Sequence, residues 1–158
     1  MEQTLIRRTD RYYELPVIID SRLPKPDQMR TASTLRIELF DGRMLVVPAR
    51  FVTDCHSTPL LLASLLPEYD NRTNIAAICH DYLYMHWEAF LADQAEPIID
   101  ARRGDARAYA DRVYLYLIRQ FHPTGWRNQI YYAAVRLFGR WNWYRYRLLN
   151  QQVGLNER

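Results

Sequence analysis

The sequence is poor in several residue types, and each shortage excludes a class of protein. Only two cysteines, Cys55 and Cys79, occur in 158 residues, and they lack the paired spacing of a disulfide framework or a cysteine-based zinc site. Both are therefore expected to be free thiols. No apolar run reaches the roughly eighteen residues that suggest a transmembrane helix. The N-terminal stretch MEQTLIRRTDRYYEL lacks the apolar segment of a signal peptide. We therefore expect a cytoplasmic protein that carries no signal peptide.

Lysine is also scarce, and the positive charge is nearly all arginine: Lys25 is the only lysine among 21 basic residues, against 18 acidic ones. Between Asp111 and Glu157 there is no acidic residue, while arginines, tryptophans and tyrosines accumulate. The arginines spread around the predicted last helix and no glycine-rich phosphate-binding motif is present, which disfavours nucleic acid as a partner. Tryptophan, tyrosine and arginine are typical anchors of protein interfaces. The residues predicted to form a surface for a protein partner are Trp126, Arg136, Arg140 and Trp143.

Length and apolar content fit one domain, residues 1–158, of class α+β. Residues 1–30 contain three X-Pro pairs and are predicted to form an extended arm, with one strand near 17–19. Residues 31–53 are predicted to form a β-hairpin, because two β-prone runs with alternating apolar residues are joined by Asp41-Gly42. Residues 54–150 are predicted to be helical and to carry the functional site. The expected fold is thus an N-terminal extended arm and β-hairpin packed on three or four α-helices.

Apolar residues at three- and four-residue spacing predict the helices. The predicted segments are 58–66, 74–87, 105–121 and 127–150. Ser57 is expected to cap the first of them, and Pro67 to end it. In the last segment the periodicity is interpreted as placing these residues toward the core: Ile130, Ala134, Leu137, Phe138, Trp141 and Leu148.

The segment 74–87, NIAAICHDYLYMHW, carries His80 and Asp81 side by side within an apolar helical pattern. On a helix, His80 and Tyr84 are i,i+4 neighbours and Asp81 and Tyr84 are i,i+3 neighbours, so the three side chains can line one edge of the buried face. That edge can be the wall of a site. It can equally be the surroundings of a hydrogen-bonded core histidine, and the helix alone leaves both interpretations open.

Four ordered motifs, FVTDCHSTP, AAICHDYLY, RAYAD and YAAVRLFGRW, span Phe51 to Trp141. Together they resemble the phage and prophage family catalogued as domain of unknown function 1353, with its pattern TDxxSxP, a histidine-aspartate helix, RxxAD and YxAVRxFG. The resemblance implies a phage or prophage origin, with the protein in the bacterial host cytoplasm or the virion and a virion or host protein as partner. It also implies that Asp54, His80, Asp81 and Asp111 share one site. The pair Cys55-His56 departs from the pattern, so His56 receives no family-wide role.

These residue types suit a hydrolase. A histidine can act as general base on water, one carboxylate can orient its ring, and others can hold a metal ion. His80 and Asp111 are accordingly the predicted catalytic residues, and Asp54 and Asp81 the predicted ligands of a divalent ion. The residues predicted to support the site are Ser57, Tyr84 and Arg107.

The His-Asp pair, the following tyrosine and the later aspartate also look like those of the secreted phospholipases of the A2 class. That resemblance implies that His80 activates water, Asp81 binds calcium and Asp111 orients His80. The disulfides and the glycine-rich calcium loop of those enzymes are absent from this sequence, so the analogy covers geometry alone.

Two other interpretations stay open. In the first, His56, His80, Asp81 and Asp111 are the H…HD…D ligands of a metal-dependent phosphohydrolase, although the β-hairpin before His56 does not fit that all-helical superfamily. In the second, the protein is not an enzyme but a phage virion or tail component, or a factor that binds a host protein. The polar cluster would then serve only to fix the packing of the core.

Overall fold

The computed structural model describes residues 3–6, 17–18, 23, 28–54, 73–96, 105–121 and 125–156. The strands within these ranges are β1 (Gln3–Ile6), β2 (Val17–Ile18), β3 (Met29–Thr31), β4 (Thr34–Glu38), β5 (Met44–Val47) and β6 (Val52–Thr53). The helices are α1 (Asn74–Met85), α2 (Trp87–Ala92), α3 (Asp105–Phe121) and α4 (Trp126–Asn156). The fold is therefore α+β, as predicted.

The β-hairpin forms as the sequence predicts. Strands β4 and β5 pair antiparallel, with Leu35 opposite Val47 and Ile37 opposite Leu45. These four alternating side chains are at most 1% exposed, so one face of the hairpin belongs to the core. Gly42 adopts a positive φ of 80° in the turn, a backbone conformation that glycine reaches without a steric cost.

Each of the two small sheets contains pairings that the sequence analysis missed. The first has the order β1-β4-β5, and β1 runs parallel to β4. The second has the order β2-β3-β6, with antiparallel neighbours. Strands β1, β3 and β6 have two to four residues each, which is too short for an alternating pattern to stand out. Besides the two hairpin strands, the strand near 17–19 was predicted, and β2 occupies Val17–Ile18.

The core lies between the sheets and the helices. Helix α1 packs against α3 and α4 on one side and contacts β5 and β6 on the other. Ten of its twelve residues are buried, including Ile75, Ile78 and Leu83. A helix that is buried nearly all round occupies the centre of a fold, so the polar residues on α1 are held by the best-packed part of the molecule. Cys79, on this helix, is a buried free thiol, and Cys55 lies outside the described residues.

Helix boundaries differ modestly from the prediction. The predicted helix 74–87 ends at Met85, since His86 leaves helical geometry with φ −126° and ψ 37°, and the short helix α2 follows. Helix α3 has the predicted bounds, and α4 extends beyond Asn150 to Asn156. The predicted helix 58–66, with its cap Ser57, lies outside the described residues. None of the described helices is long and apolar enough to cross a membrane.

The orientation predicted for α4 is wrong from Leu137 onward, although Ile130 packs against the core as predicted. Leu137, Phe138, Trp141 and Leu148 were expected to point inward, yet they are 73%, 58%, 78% and 61% exposed. The opposite face of the helix is buried instead, through Asn128, Tyr131 and Trp143. Helix α4 carries two apolar faces, and periodicity finds both without saying which one meets the core.

That rotation also changes the predicted partner surface. Trp143 is 7% exposed and packs edge-on against Tyr84 and Trp87, so it belongs to the core and not to a surface. Arg136 has a side chain that is 37% exposed, and its Nη1 donates to the buried carboxylate of Asp111 on α3. Trp126 and Arg140 are exposed.

Candidate active site

His80 occupies the middle of α1, where its ring is enclosed by aromatic side chains. The ring centroid lies 4.1 Å from that of Tyr84 and 5.2 Å from that of Tyr114, and the residue is 6% exposed. Its Nε2 lies 3.0 Å from Oδ1 of Asp111 on α3. The close packing of α1 on α3 brings the two residues together although 31 positions separate them in the chain.

Asp111 is fully buried and accepts hydrogen bonds from four side chains. Oδ1 accepts from His80 and from the Tyr84 hydroxyl at 2.6 Å. Oδ2 accepts from Nη1 of Arg107 at 3.2 Å and from Nη1 of Arg136 at 2.9 Å. Arg107 also donates to the backbone carbonyl of Arg136 at 3.1 Å, which ties α3 to α4. Both oxygens of this carboxylate are thus fully engaged.

These donors keep Asp111 ionised. Burial alone would raise the pKa of its carboxyl group, but the hydrogen bonds from His80, Tyr84 and Arg136 stabilise the charged form and the net effect is a lowered pKa. Burial, together with the negative charge of Asp111, raises the pKa of the Tyr84 hydroxyl. Tyr84 therefore remains a protonated donor, and the Asp111 end of the site is a fixed anionic anchor.

The contact with Asp111 determines which nitrogen of His80 is available. An ionised carboxylate can only accept, so Nε2 must carry the hydrogen and, in the neutral ring, Nδ1 keeps the lone pair. Nδ1 faces Oδ1 of Asp81 at 3.8 Å, which is too long for a hydrogen bond. Burial lowers the pKa of His80, but its contacts with Asp111 and Asp81 outweigh that effect and the pKa is raised. The His80 ring is thus oriented with Nε2 toward Asp111 and Nδ1 toward Asp81.

Asp81 lies at the edge of the site, with its side chain 21% exposed. Its Oδ2 accepts a hydrogen bond from the Thr53 hydroxyl of β6. Its pKa is raised, chiefly because burial disfavours the charge; His80 counters this effect and the negative charge of Asp54 adds to it. Asp54 comes directly after β6, so the TD motif and the HD motif meet here. A cation between two such carboxylates would relieve their repulsion.

The metal ligands predicted from the sequence are only partly assembled in the described residues. Within residues 28–54, 73–96, 105–121 and 125–156, no three His, Cys, Asp or Glu side chains are arranged to hold a metal ion. Asp54 and Asp81 supply two carboxylates near each other, so a bound ion would need further ligands from water or substrate. Asp111 is saturated by its donors, two of them guanidinium groups, which argues against its role as a ligand in a phosphohydrolase site. His56 and Ser57 lie outside the described residues.

The sequence analysis missed four contributors to the site: Thr53, Arg136, Gly139 and Tyr146. Gly139 on α4 leaves room for the Tyr84 hydroxyl, since a Cβ there would lie 2.6 Å from it. Burial raises the pKa of Tyr146, and the negative charges of Asp81 and Asp54 add to this effect. Tyr146 therefore belongs to the Asp81 side of the site, here called the open end. The motif YAAVRLFG contained the signal, because Arg136 and Gly139 are three residues apart and face the site together. Arg136 was instead predicted to lie on a partner surface, because arginine is typical of interface anchors.

Comparison with known proteins establishes the family. The chain matches the family described as Protein of unknown function (DUF1353) over residues 29–135, which is more than half of the chain. The protein therefore belongs to this family. The matched range includes Thr53, His80, Asp81 and Asp111, whereas Arg136, Gly139 and Tyr146 follow it in the chain. Searches of curated proteins and of solved structures returned no match.

Proposed function

We propose that the protein is a hydrolase in which His80 activates water for attack on an ester. The observation that carries this proposal is the asymmetry around the imidazole ring. Nε2 is fixed by a buried, ionised carboxylate, while Nδ1 has no hydrogen bond shorter than 3.5 Å to Asp81 and points toward the edge of the site. A general base needs this combination of a fixed ring and an available lone pair.

In the proposed reaction, Nδ1 of His80 takes a proton from water as the oxygen attacks the carbonyl carbon or phosphorus of the ester. The imidazolium then returns the proton to the leaving oxygen, so His80 ends the cycle neutral. Asp111 stabilises the imidazolium and holds the ring in place, and Tyr84, Arg107 and Arg136 hold Asp111. Asp111 is therefore a positioning residue in this mechanism.

We further propose that Asp54 and Asp81 bind a divalent cation. Both ligands are carboxylates, which suit a hard cation such as Ca²⁺ or Mg²⁺. Thr53, the residue before Asp54, donates a hydrogen bond to Oδ2 of Asp81, and the negative charge of Asp54 helps burial to raise the pKa of Asp81. Bound near Nδ1 of His80, the ion would polarise the ester oxygen and stabilise the negative charge that develops in the attack. These roles parallel the A2 phospholipase analogy drawn from the motifs.

The test is a substrate panel with metal added or chelated. We would assay p-nitrophenyl acyl esters, a short-chain phospholipid, bis(p-nitrophenyl) phosphate and peptidoglycan, each with EDTA, Ca²⁺, Mg²⁺, Mn²⁺ or Zn²⁺. We expect turnover of one ester class, dependent on metal, and a loss of about a hundredfold or more for His80→Ala. His86→Ala is the matched control, because His86 lies at the end of the same helix but outside the site.

Wild-type protein that is inactive on the whole panel and binds no divalent ion in calorimetry would refute the hydrolase proposal. So would turnover that His80→Ala leaves unchanged while the variant remains folded. A loss of activity that only follows a loss of folding would point to the structural role of the cluster.

A second candidate function is supported by a different part of the molecule. The outward face of α4 is apolar and exposed, which favours a protein that binds another macromolecule, as in the virion-component or host-binding alternative. The phage or prophage origin implied by the motifs, and a location in the host cytoplasm or virion, are part of this proposal. A pull-down from phage-infected cells with Leu137→Ser as the control would test it, and equal recovery with both proteins would count against it.

A further inference from the structure

The outward face of α4 carries a continuous line of exposed apolar side chains, here called the outer stripe. It consists of Leu137, Trp141, Tyr144 and Leu148, which are 73%, 78%, 54% and 61% exposed. Monomeric proteins rarely leave this much contiguous apolar surface in water. The inner face of the same helix is packed on α1 and α3, whereas the stripe is exposed.

The spacing of the outer stripe is that of a coiled-coil seam. Its four residues are separated by four, three and four positions, the alternation of the two core positions in a heptad. Ile130 and Ala134 precede the stripe at the same spacing, but both are partly buried and Ile130 packs against the core. The exposed seam therefore runs from Leu137 to Leu148, which is roughly 17 Å of helix. A second helix can lie along this seam over several turns.

The flanks of the stripe carry one sign of charge. Arg140 and Arg145 are exposed and border it on opposite sides, and the Arg140 guanidinium lies 5.7 Å from the ring centroid of Tyr144. Helix α4 contains no aspartate or glutamate. In coiled coils, the charges that flank the seam select the partner. A second copy of this chain would place arginine against arginine, which opposes self-association through this face.

We propose that the outer stripe of α4 docks an amphipathic helix of another protein, one that has apolar residues in its seam and aspartate or glutamate on its flanks. The acidic flanks would pair with Arg140 and Arg145, and aliphatic side chains would cover Trp141 and Leu137. A lipid surface would also suit an apolar face bordered by arginine, but the heptad spacing of the stripe favours a helical partner, and the vesicle arm of the experiment separates the two. The inference rests on the second candidate function above, for which it names the kind of partner, and is independent of the hydrolase proposal.

The experiment uses the full chain and two synthetic peptides of about four heptads, with leucine in the seam and either glutamate or lysine on both flanks. Binding is followed by calorimetry and by tryptophan fluorescence. We expect the glutamate peptide to bind at least about tenfold more tightly than the lysine peptide, with affinity falling as salt rises. Trp141→Ser should weaken binding by about tenfold or more, as expected for a central aromatic anchor. Asn142→Ala, at an exposed position of α4 off the stripe, should not.

The double variant Arg140→Glu with Arg145→Glu should reverse the preference, so that the lysine peptide binds more tightly. Equal binding of both peptides, or of neither, would overturn the proposal. So would binding to vesicles of phosphatidylglycerol but not to the glutamate peptide. A wild-type dimer that Trp141→Ser disperses would assign the stripe to a second copy. If acrylamide quenched the fluorescence of Trp141 much less in the folded monomer than in the unfolded chain, another part of the same chain would cover the stripe.

Discussion

The two carboxylates that flank His80 occupy opposite environments. Asp111 is fully buried, accepts four side-chain hydrogen bonds and has a lowered pKa. Asp81 is partly exposed, and its Oδ1 lies 3.8 Å from the ring with a raised pKa. The surroundings of Asp111 stabilise its ionised form, whereas burial disfavours the ionised form of Asp81.

This difference separates what holds the site from what can react in it. Fully satisfied buried polar networks fix one arrangement of the core, and the Asp111 network links α1, α3 and α4. Groups with unfavourable electrostatics are common at functional sites, and Asp81 is such a group. The same histidine is thus structural through Nε2 and chemically available through Nδ1. Variants on the Asp111 side of His80 and on the Asp81 side should therefore differ in stability.

The largest effect is expected at the buried end. Asp111→Asn removes the charge that compensates Arg107 and Arg136 and places an NH₂ group where only acceptors fit. Breaking a buried ion pair from one side costs about 3–5 kcal/mol, and urea unfolding should show a loss in that range. Glu88→Gln is the control, because Glu88 pairs with Arg147 but is 58% exposed, and it should cost less than about 1 kcal/mol. Similar losses for the two variants would contradict the comparison.

A smaller loss is expected for Gly139→Ala. The new Cβ would lie 2.6 Å from the Tyr84 hydroxyl, so Tyr84 must move and its hydrogen bond to Asp111 must break. An unmade buried hydrogen bond costs about 1–3 kcal/mol. The double variant Gly139→Ala with Tyr84→Phe should be less destabilised than the sum of the two single variants, because the phenylalanine lacks the oxygen that clashes. Strict additivity in denaturant melts would show that the close approach has no energetic role.

At the open end, Asp81→Asn should change stability little or even increase it. A raised pKa means that the fold disfavours the ionised carboxyl, so the neutral amide removes an unfavourable charge at neutral pH. The expected change in the free energy of unfolding is within about 1 kcal/mol of zero, measured without added metal. A loss as large as that of Asp111→Asn would show that both carboxylates are structural.

The smallest expected effect is the pH dependence of the stability difference between wild type and His80→Ala. Its direction follows from the raised pKa of His80. Since the pKa of His80 is raised above 6.5, its charged-state contribution is complete below 6.5 and is lost as pH rises through the folded pKa. The stability difference between wild type and His80→Ala should therefore shrink with rising pH. His86 has a lowered pKa, so the difference for His86→Ala should grow with rising pH. The measurement is the urea midpoint of each protein in EDTA between pH 5.5 and 8.5. Differences that change in the same direction with pH for His80→Ala and His86→Ala would contradict the prediction.

Much of the fold followed from local signals. The turn Asp41-Gly42, the bounds of α3 and the buried pattern around His80 are set by residues close in sequence. The strands β1, β3 and β6 depend on pairing with distant segments, which short runs do not encode. The orientation of α4 also depends on tertiary contact, because both of its faces are apolar. Leu137 and Trp141 look as core-like in sequence as Tyr131 and Trp143 do.

For the site, the family resemblance implied that His80, Asp81 and Asp111 belong together, and helical spacing added Tyr84 and Arg107; the structure brings these five residues together. The sequence did not indicate which donors bond to each oxygen of Asp111, or that Arg136 donates to Asp111 from α4. Those features depend on the packing of three helices and on the space left by Gly139. The sequence motifs mark the positions, whereas the tertiary structure determines which nitrogen of His80 is free.

The most direct test of this account is the tautomer of His80, read from the side-chain nitrogen shifts of ¹⁵N-histidine-labelled protein by NMR at a pH where the ring is neutral and metal is chelated. The geometry predicts hydrogen on Nε2, donated to Asp111, and an unprotonated Nδ1 facing Asp81. His80→Ala identifies the signal by its loss. A neutral ring with hydrogen on Nδ1 and a bare Nε2 would contradict the account, because Asp111 would then orient nothing and no lone pair would face the open end of the site.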